Sequence, residues 1–140
     1  MIVIQIGAAT IARAASFDLL LMWARFLALP DSRAAGLVVH LGLSCAIAAV
    51  YALAFGLAGV SDAGWAWGLT AAGIHWLVAG LFLGAVPDAE RDGPSGPGPF
   101  GMRVGAGFPV GFLIAHLVFG VVVGVVYVAL HPGGGLEAAL

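Results

Sequence analysis

The sequence contains no lysine, a single cysteine and very little charge of either sign. Charged residues fill 9% of its 140 positions, against roughly 25% in a soluble domain. A globule in water needs a polar skin, and this chain cannot supply one, which excludes a soluble enzyme and a disordered tail. Five arginines without a basic cluster, at a formal net charge of −2, exclude a nucleic-acid binder. The lone Cys45 excludes an internal disulfide and says nothing about redox compartment. No Walker loop, dinucleotide fingerprint, CxxC or plausible Ser-His-Asp set is present, so the chain reads as non-catalytic. The N-terminal stretch has no basic n-region, and Arg13 and Asp18 interrupt its apolar run, so it does not read as a cleavable signal peptide.

What is abundant is apolar. Hydrophobic residues make up 62% of the chain and the mean hydropathy is +1.11, which leaves an integral membrane protein. The absence of lysine together with 22 glycines and abundant alanine matches a GC-rich bacterial genome, hence a bacterial inner membrane. A helix needs about 20 mostly apolar residues to cross the hydrocarbon core. Four stretches meet that length: Ile4 to Leu29, Ala34 to Val60, Trp65 to Val86 and Phe108 to Leu130. Proline follows the first, third and fourth, and biases the residue before it away from the helical region. The predicted fold is therefore all-α and polytopic, one transmembrane domain over residues 1–140 with four spans. The first span is the one that carries charge, at Arg13, Asp18 and Arg25. The third connection, over 88–106, has a polar start and a Gly/Pro-rich remainder without helical periodicity, and reads as a solvated loop or a docking loop for a partner. Arg33, Arg91 and Arg103 all lie in the first and third connections, and the second connection and the tail have none. The positive-inside rule then places those two connections in the cytoplasm and the termini outside.

The chain also carries an internal echo. His40-Leu41 is followed after eight residues by Val50-Tyr51, and His116-Leu117 after eight by Val126-Tyr127. Small residues stand four and eight places after each histidine: Ser44 and Ala48, then Gly120 and Gly124. The first and third spans share Phe-Leu before a terminal Pro-Asp, which sets Asp18 opposite His75. The chain thus reads as two tandem helical hairpins, about 4–60 and about 65–130, related by a pseudo-two-fold axis along the membrane normal. The small residues predict close packing of the second and fourth spans along these two stripes. Gly73, Gly80 and Gly84 form a further stripe on the third span.

An ionisable side chain at membrane depth is costly and a functional suspect by default. At about 1.5 Å per residue, counted from the side of the first and third connections, His40 lies roughly 10 Å deep, His116 roughly 13 Å, and Asp18 and His75 roughly 17 Å. Each span thus donates one group to a common polar layer. Three histidines and one aspartate suit zinc, iron or copper, although no local ligand spacing such as HExxH is present. A facing histidine pair, such as His40 with His116, suits haem. Asp18 and the histidines also suit a proton or ion pathway. Beside these stands a structural reading, in which the histidines hydrogen-bond across helices and Asp18 pairs with an arginine. Arg13 and Arg25 read as snorkelling anchors, and Trp65, Trp67, Phe100 and Phe108 as interfacial belt residues. Tyr51 and Tyr127 share a structural role, and Trp23 and Trp76 read as packing residues.

The order of these features, above all the closing His116-x-x-Phe119-Gly120-x3-Gly124-x2-Tyr127, resembles small bacterial four-helix membrane proteins grouped as a family of unknown function. The resemblance implies a four-helix fold and a membrane location, and carries no activity or catalytic residue. The leading functional reading is an accessory or structural subunit of a larger bacterial membrane complex, such as a respiratory or other redox complex. Its partners are then lipids and other membrane subunits or further copies of itself. The alternatives are an intramembrane metal- or haem-binding protein using the Asp18, His40, His75 and His116 layer, and a small proton or ion conductor.

Overall fold

The structure, a computed structural model, describes residues 18–86 and 96–132. Four helices follow in order: α1 (Leu19–Phe26), α2 (Arg33–Leu57), α3 (Gly64–Leu83) and α4 (Phe108–Leu130), with a 3-10 turn at Pro99–Gly101 before α4. No strand occurs among the described residues. The helices α2, α3 and α4 are long and apolar enough to cross a membrane. Their 25, 20 and 23 residues correspond to roughly 30–38 Å of helix, matching a hydrocarbon core of about 30 Å.

The helix ends follow from local chemistry. At the start of α2, the Ser32 hydroxyl accepts from the Ala35 amide at 3.1 Å, an N-cap. At its end, Gly59 adopts the left-handed conformation (φ +66°). The Gly59 amide donates to the Gly56 carbonyl and the Val60 amide to the Phe55 carbonyl. This is a Schellman closure, and its apolar contact is formed by Val60 and Phe55, both buried. The predicted span therefore ends at Leu57 rather than running on to Val60. The same pair of bonds closes α1, from Ala28 to Arg25 and from Leu29 to Ala24, but with Ala28 at φ +53° where a glycine would be unstrained.

The first predicted span is met only in part. Its residues 4–17 lie outside the described residues, and the remainder is not a helix running through Asp18. Asp18 stands at φ −90°, ψ 91°, and its carboxylate accepts from the amides of Leu20 and Leu21, so it caps α1. A carboxylate inside a helix leaves its acceptors idle, whereas at the N-cap it satisfies amides that have no partner in the helix. The eight residues of α1 cover roughly 12 Å, too short to cross alone.

The chain divides into two compact units, which do not follow the two sequential hairpins. The first comprises Met1–Gly42 and Leu77–Phe112. Its buried centre is Met22, Leu83 and Val86, with Leu19, Trp23, Phe108 and Phe112 packed around it. Phe26 meets the Phe82 ring edge-on at 5.5 Å. The Leu20 carbonyl lies so close to Gly36 that any side chain there would collide with it. The end of the Gly/Pro-rich connection folds back here: Phe100 covers Gly80 and Pro99 covers Gly84. Arg103 donates its amide to the Pro97 carbonyl. This part of the connection is packed rather than a free solvated loop, and Phe100 serves that packing instead of an interfacial belt. Trp65 and Trp67, by contrast, are exposed at the start of α3, where belt residues belong.

The second unit comprises Leu43–Trp76 and Leu113–Leu140. Gly64 lies against Gly124 and Gly68 against Gly120, so α3 and α4 run antiparallel with backbone touching backbone. Ala72 continues the seam against Gly120 and is fully buried. The Gly120–Gly124 stripe is thus used as predicted, but its partner is α3 rather than α2. Only two glycine pairs facing each other permit this approach, because Ser44 and Ala48 each carry a Cβ. Ser44, Ile47, Ala48, Tyr51, Ala52 and Phe55 nonetheless form the less exposed stripe of this part of α2. Tyr51, Phe55, Val60 and Tyr127 make the core of the unit.

Candidate functional site

The four predicted polar residues fall into two groups, one in each unit. In the first unit, Asp18 caps α1 and its second carboxylate oxygen takes the Arg33 Nε at 2.5 Å. The Leu21 amide, then the Arg33 guanidinium, hold its carboxyl below the usual value of 3.8. Arg25 makes a bidentate pair with Asp31, at 2.7 and 2.9 Å, instead of reaching alone for headgroups. These two pairs bracket α1, so the Asp18 carboxylate has a structural assignment. His40 is half-buried on α2.

In the second unit, His75 and His116 come together. Each stands eight residues inside its helix, counted from Leu83 and from Phe108. The antiparallel glycine seam brings the two levels into register. The ring centres are 4.6 Å apart with the planes at 67°. Tyr51 approaches His75 edge-on at 6.0 Å, and Phe119 lies 5.8 Å from Tyr51 and 6.3 Å from His75. The contacts continue through Phe55 to Tyr127 at 5.5 Å, and Tyr127 stacks on His131 at 4.5 Å. Nδ1 of His131 is 3.0 Å from the Tyr127 carbonyl oxygen, which closes the last turn of α4. Within this cluster the Tyr51 hydroxyl and the His75 Nδ1 are buried without a hydrogen-bond partner among the described residues.

The geometry bears on the cofactor readings. Two imidazoles that sandwich a haem iron at about 2 Å each would hold their ring centres more than about 6 Å apart. At 4.6 Å, His75 and His116 are not disposed as a trans axial pair. Among the described residues, no group of three or more His, Cys, Asp or Glu side chains gathers as a metal site.

Sequence reading did not bring four residues of this region together with the histidines. Tyr51 and Phe119 belong to the histidine cluster, and Gly64 and Gly68 carry the seam beneath it. The Gly64-x3-Gly68 spacing was a visible signal, mirrored by Gly120-x3-Gly124. Its position at the mouth of the third span, beside a polar turn, masked it. Together the features define, among the described residues, an all-α protein with three helices of membrane-crossing length and a half-buried histidine pair. No protein-family model matches the chain, and neither a curated protein nor a solved structure does.

Proposed function

We propose that this chain is a non-catalytic accessory subunit of a larger complex in a bacterial inner membrane. The observation that carries the reading is α2. Only 6% of its most apolar 18-residue stretch is buried. Its outer surface nevertheless includes Gly42, beside which a Cβ would meet nothing within 4 Å, and the exposed Cys45. Lipid tails are met well enough by leucine and valine, whereas small residues on an open helix face admit another helix closely. A soluble monomer does not leave apolar surface of this extent uncovered.

In this reading the chain crosses four times as two tandem hairpins. The equal burial of Tyr51 and Tyr127, each 6% exposed in one core, supports the repeat. The arginines of the first and third connections face the cytoplasm, with the termini outside. The family resemblance of the closing His116-to-Tyr127 pattern points the same way. The test is extraction in mild detergent from a host expressing the chain at its native level. Co-migration with other membrane proteins on a native gel, identified by mass spectrometry, is the expected result. A monodisperse species of this chain alone overturns the reading.

A further inference from the structure

We propose that His75 and His116 form a cis bidentate site for one divalent transition-metal ion, inside the second unit and independent of any partner subunit. The argument begins with distance. With metal–nitrogen bonds of about 2 Å and the ion in the plane of each ring, two imidazoles on one ion place their ring centres roughly 4.5 Å apart for a right angle, roughly 5 Å for a tetrahedral angle and more than about 6 Å when trans. The observed 4.6 Å lies at the cis end of this range. The pair differs from the four-residue layer read from the sequence, because Asp18 is occupied as a cap and ion-pair partner of Arg33.

Rigidity is the second ground. A two-ligand site gains affinity only if its ligands are held in place before the ion arrives. His116 lies one turn from Gly120 and His75 two turns from Gly68, and these glycines lock α3 to α4 backbone against backbone. Phe119 and Tyr51 wall the pair on the side facing the core. The third ground is unused hydrogen-bonding capacity. The Tyr51 hydroxyl and the His75 Nδ1 are both buried without a partner among the described residues. At membrane depth no bulk water serves them. The ion itself would take the His75 Nδ1, and a water or hydroxide on its remaining positions would serve the Tyr51 hydroxyl.

Ligand type sets the class of ion. Imidazole suits zinc, copper and nickel, while magnesium and calcium need oxygen donors. Neither α3 nor α4 contains an aspartate or glutamate, and the one acid among the described residues of this unit is Asp62, in the turn between α2 and α3. The charge of the ion must then be offset by a bound hydroxide or by the Tyr51 phenolate, so loading releases a proton.

The test uses the full chain without a histidine tag, reconstituted in lipid nanodiscs and titrated with Cu²⁺, with Mg²⁺ as the control. We expect one Cu²⁺ per chain, proton release on loading, no response to Mg²⁺, and an electron paramagnetic resonance spectrum showing two imidazole nitrogens. His75→Ala and His116→Ala should each weaken binding by at least about tenfold, while His40→Ala and His131→Ala leave it unchanged. Substoichiometric binding overturns the proposal, as does binding that survives either of the first two substitutions or disappears with His131→Ala. If the alanine variants fail to fold, the wild-type spectrum decides: fewer than two coordinated nitrogens refutes the site.

Discussion

The two compact units are stabilised by different chemistry. The first is built with charge and caps: Asp18 on the α1 amides and Arg33, Arg25 on Asp31, Ser32 on the start of α2, and aromatic or proline rings laid over Gly80 and Gly84. The second contains no arginine and, among its described residues, a single acid. It relies on glycine-to-glycine backbone contact and a cluster of tyrosine, phenylalanine and histidine rings. Charged pairs are inexpensive where water or headgroups reach them and costly at the hydrocarbon centre, where close backbone contact loses no solvation. The contrast teaches that one chain can use ion pairs to fix its connections and van der Waals contact to fix its long apolar helices.

The sharpest way to break the second unit is at its seam. Gly124→Leu drives a side chain into the Gly64 carbonyl. It should cost about 3 kcal/mol or more, read as loss of the cooperative unfolding transition in micelles. Gly111→Leu, at an open position on the same helix, should leave that transition nearly unmoved. Equal effects from both would show that the glycine seam is not what holds α3 to α4.

The first unit offers a gain rather than a loss. Ala28 holds a left-handed conformation that suits glycine, so Ala28→Gly should stabilise the α1 closure by about 0.5–1 kcal/mol despite the extra freedom of the unfolded chain. Amide exchange of Leu29, which bonds to the Ala24 carbonyl, should slow. Faster exchange would place the α1 turn in another conformation.

The smallest effect is one of pH and should appear in the first unit alone. The carboxyl of Asp18 is held below 3.8 in the fold, so its support for α1 is complete above that value and fades as pH falls through the lower, folded value. Exchange of the Leu20 and Leu21 amides should therefore accelerate below about pH 4 and not between pH 5 and 8. In Asp18→Asn this acid step should vanish. An unchanged step in that variant would assign it to another carboxylate, such as Asp31.

Much of the long-helix architecture was legible. The predicted boundaries of the fourth span, Phe108 and Leu130, coincide with α4, and those of the second and third miss by three residues or fewer. These follow from hydropathy and from Pro, Gly and Ser signals that act within a few residues. Tyr51 and Tyr127, singled out by their shared spacing, do share a core. The helix start at Asp18 was not legible because a hydropathy count treats Asp18 as a tolerated interruption, whereas the backbone treats it as a place to begin a helix. The partner of Gly120 and Gly124 was misread because a small-residue stripe states that something packs there without stating what.

The sequence by itself determined that this chain is apolar and helical, where its long helices run, and that its few polar groups would be informative. Those properties depend on single side chains and their near neighbours. Only the tertiary structure decided that His75 meets His116, that Asp18 is drawn to Arg33, and that Phe100 closes over Gly80. Each of these is a meeting of side chains distant along the chain or on separate elements. It is settled by which backbone surfaces can approach most closely, and here glycine, by having no side chain, makes that choice.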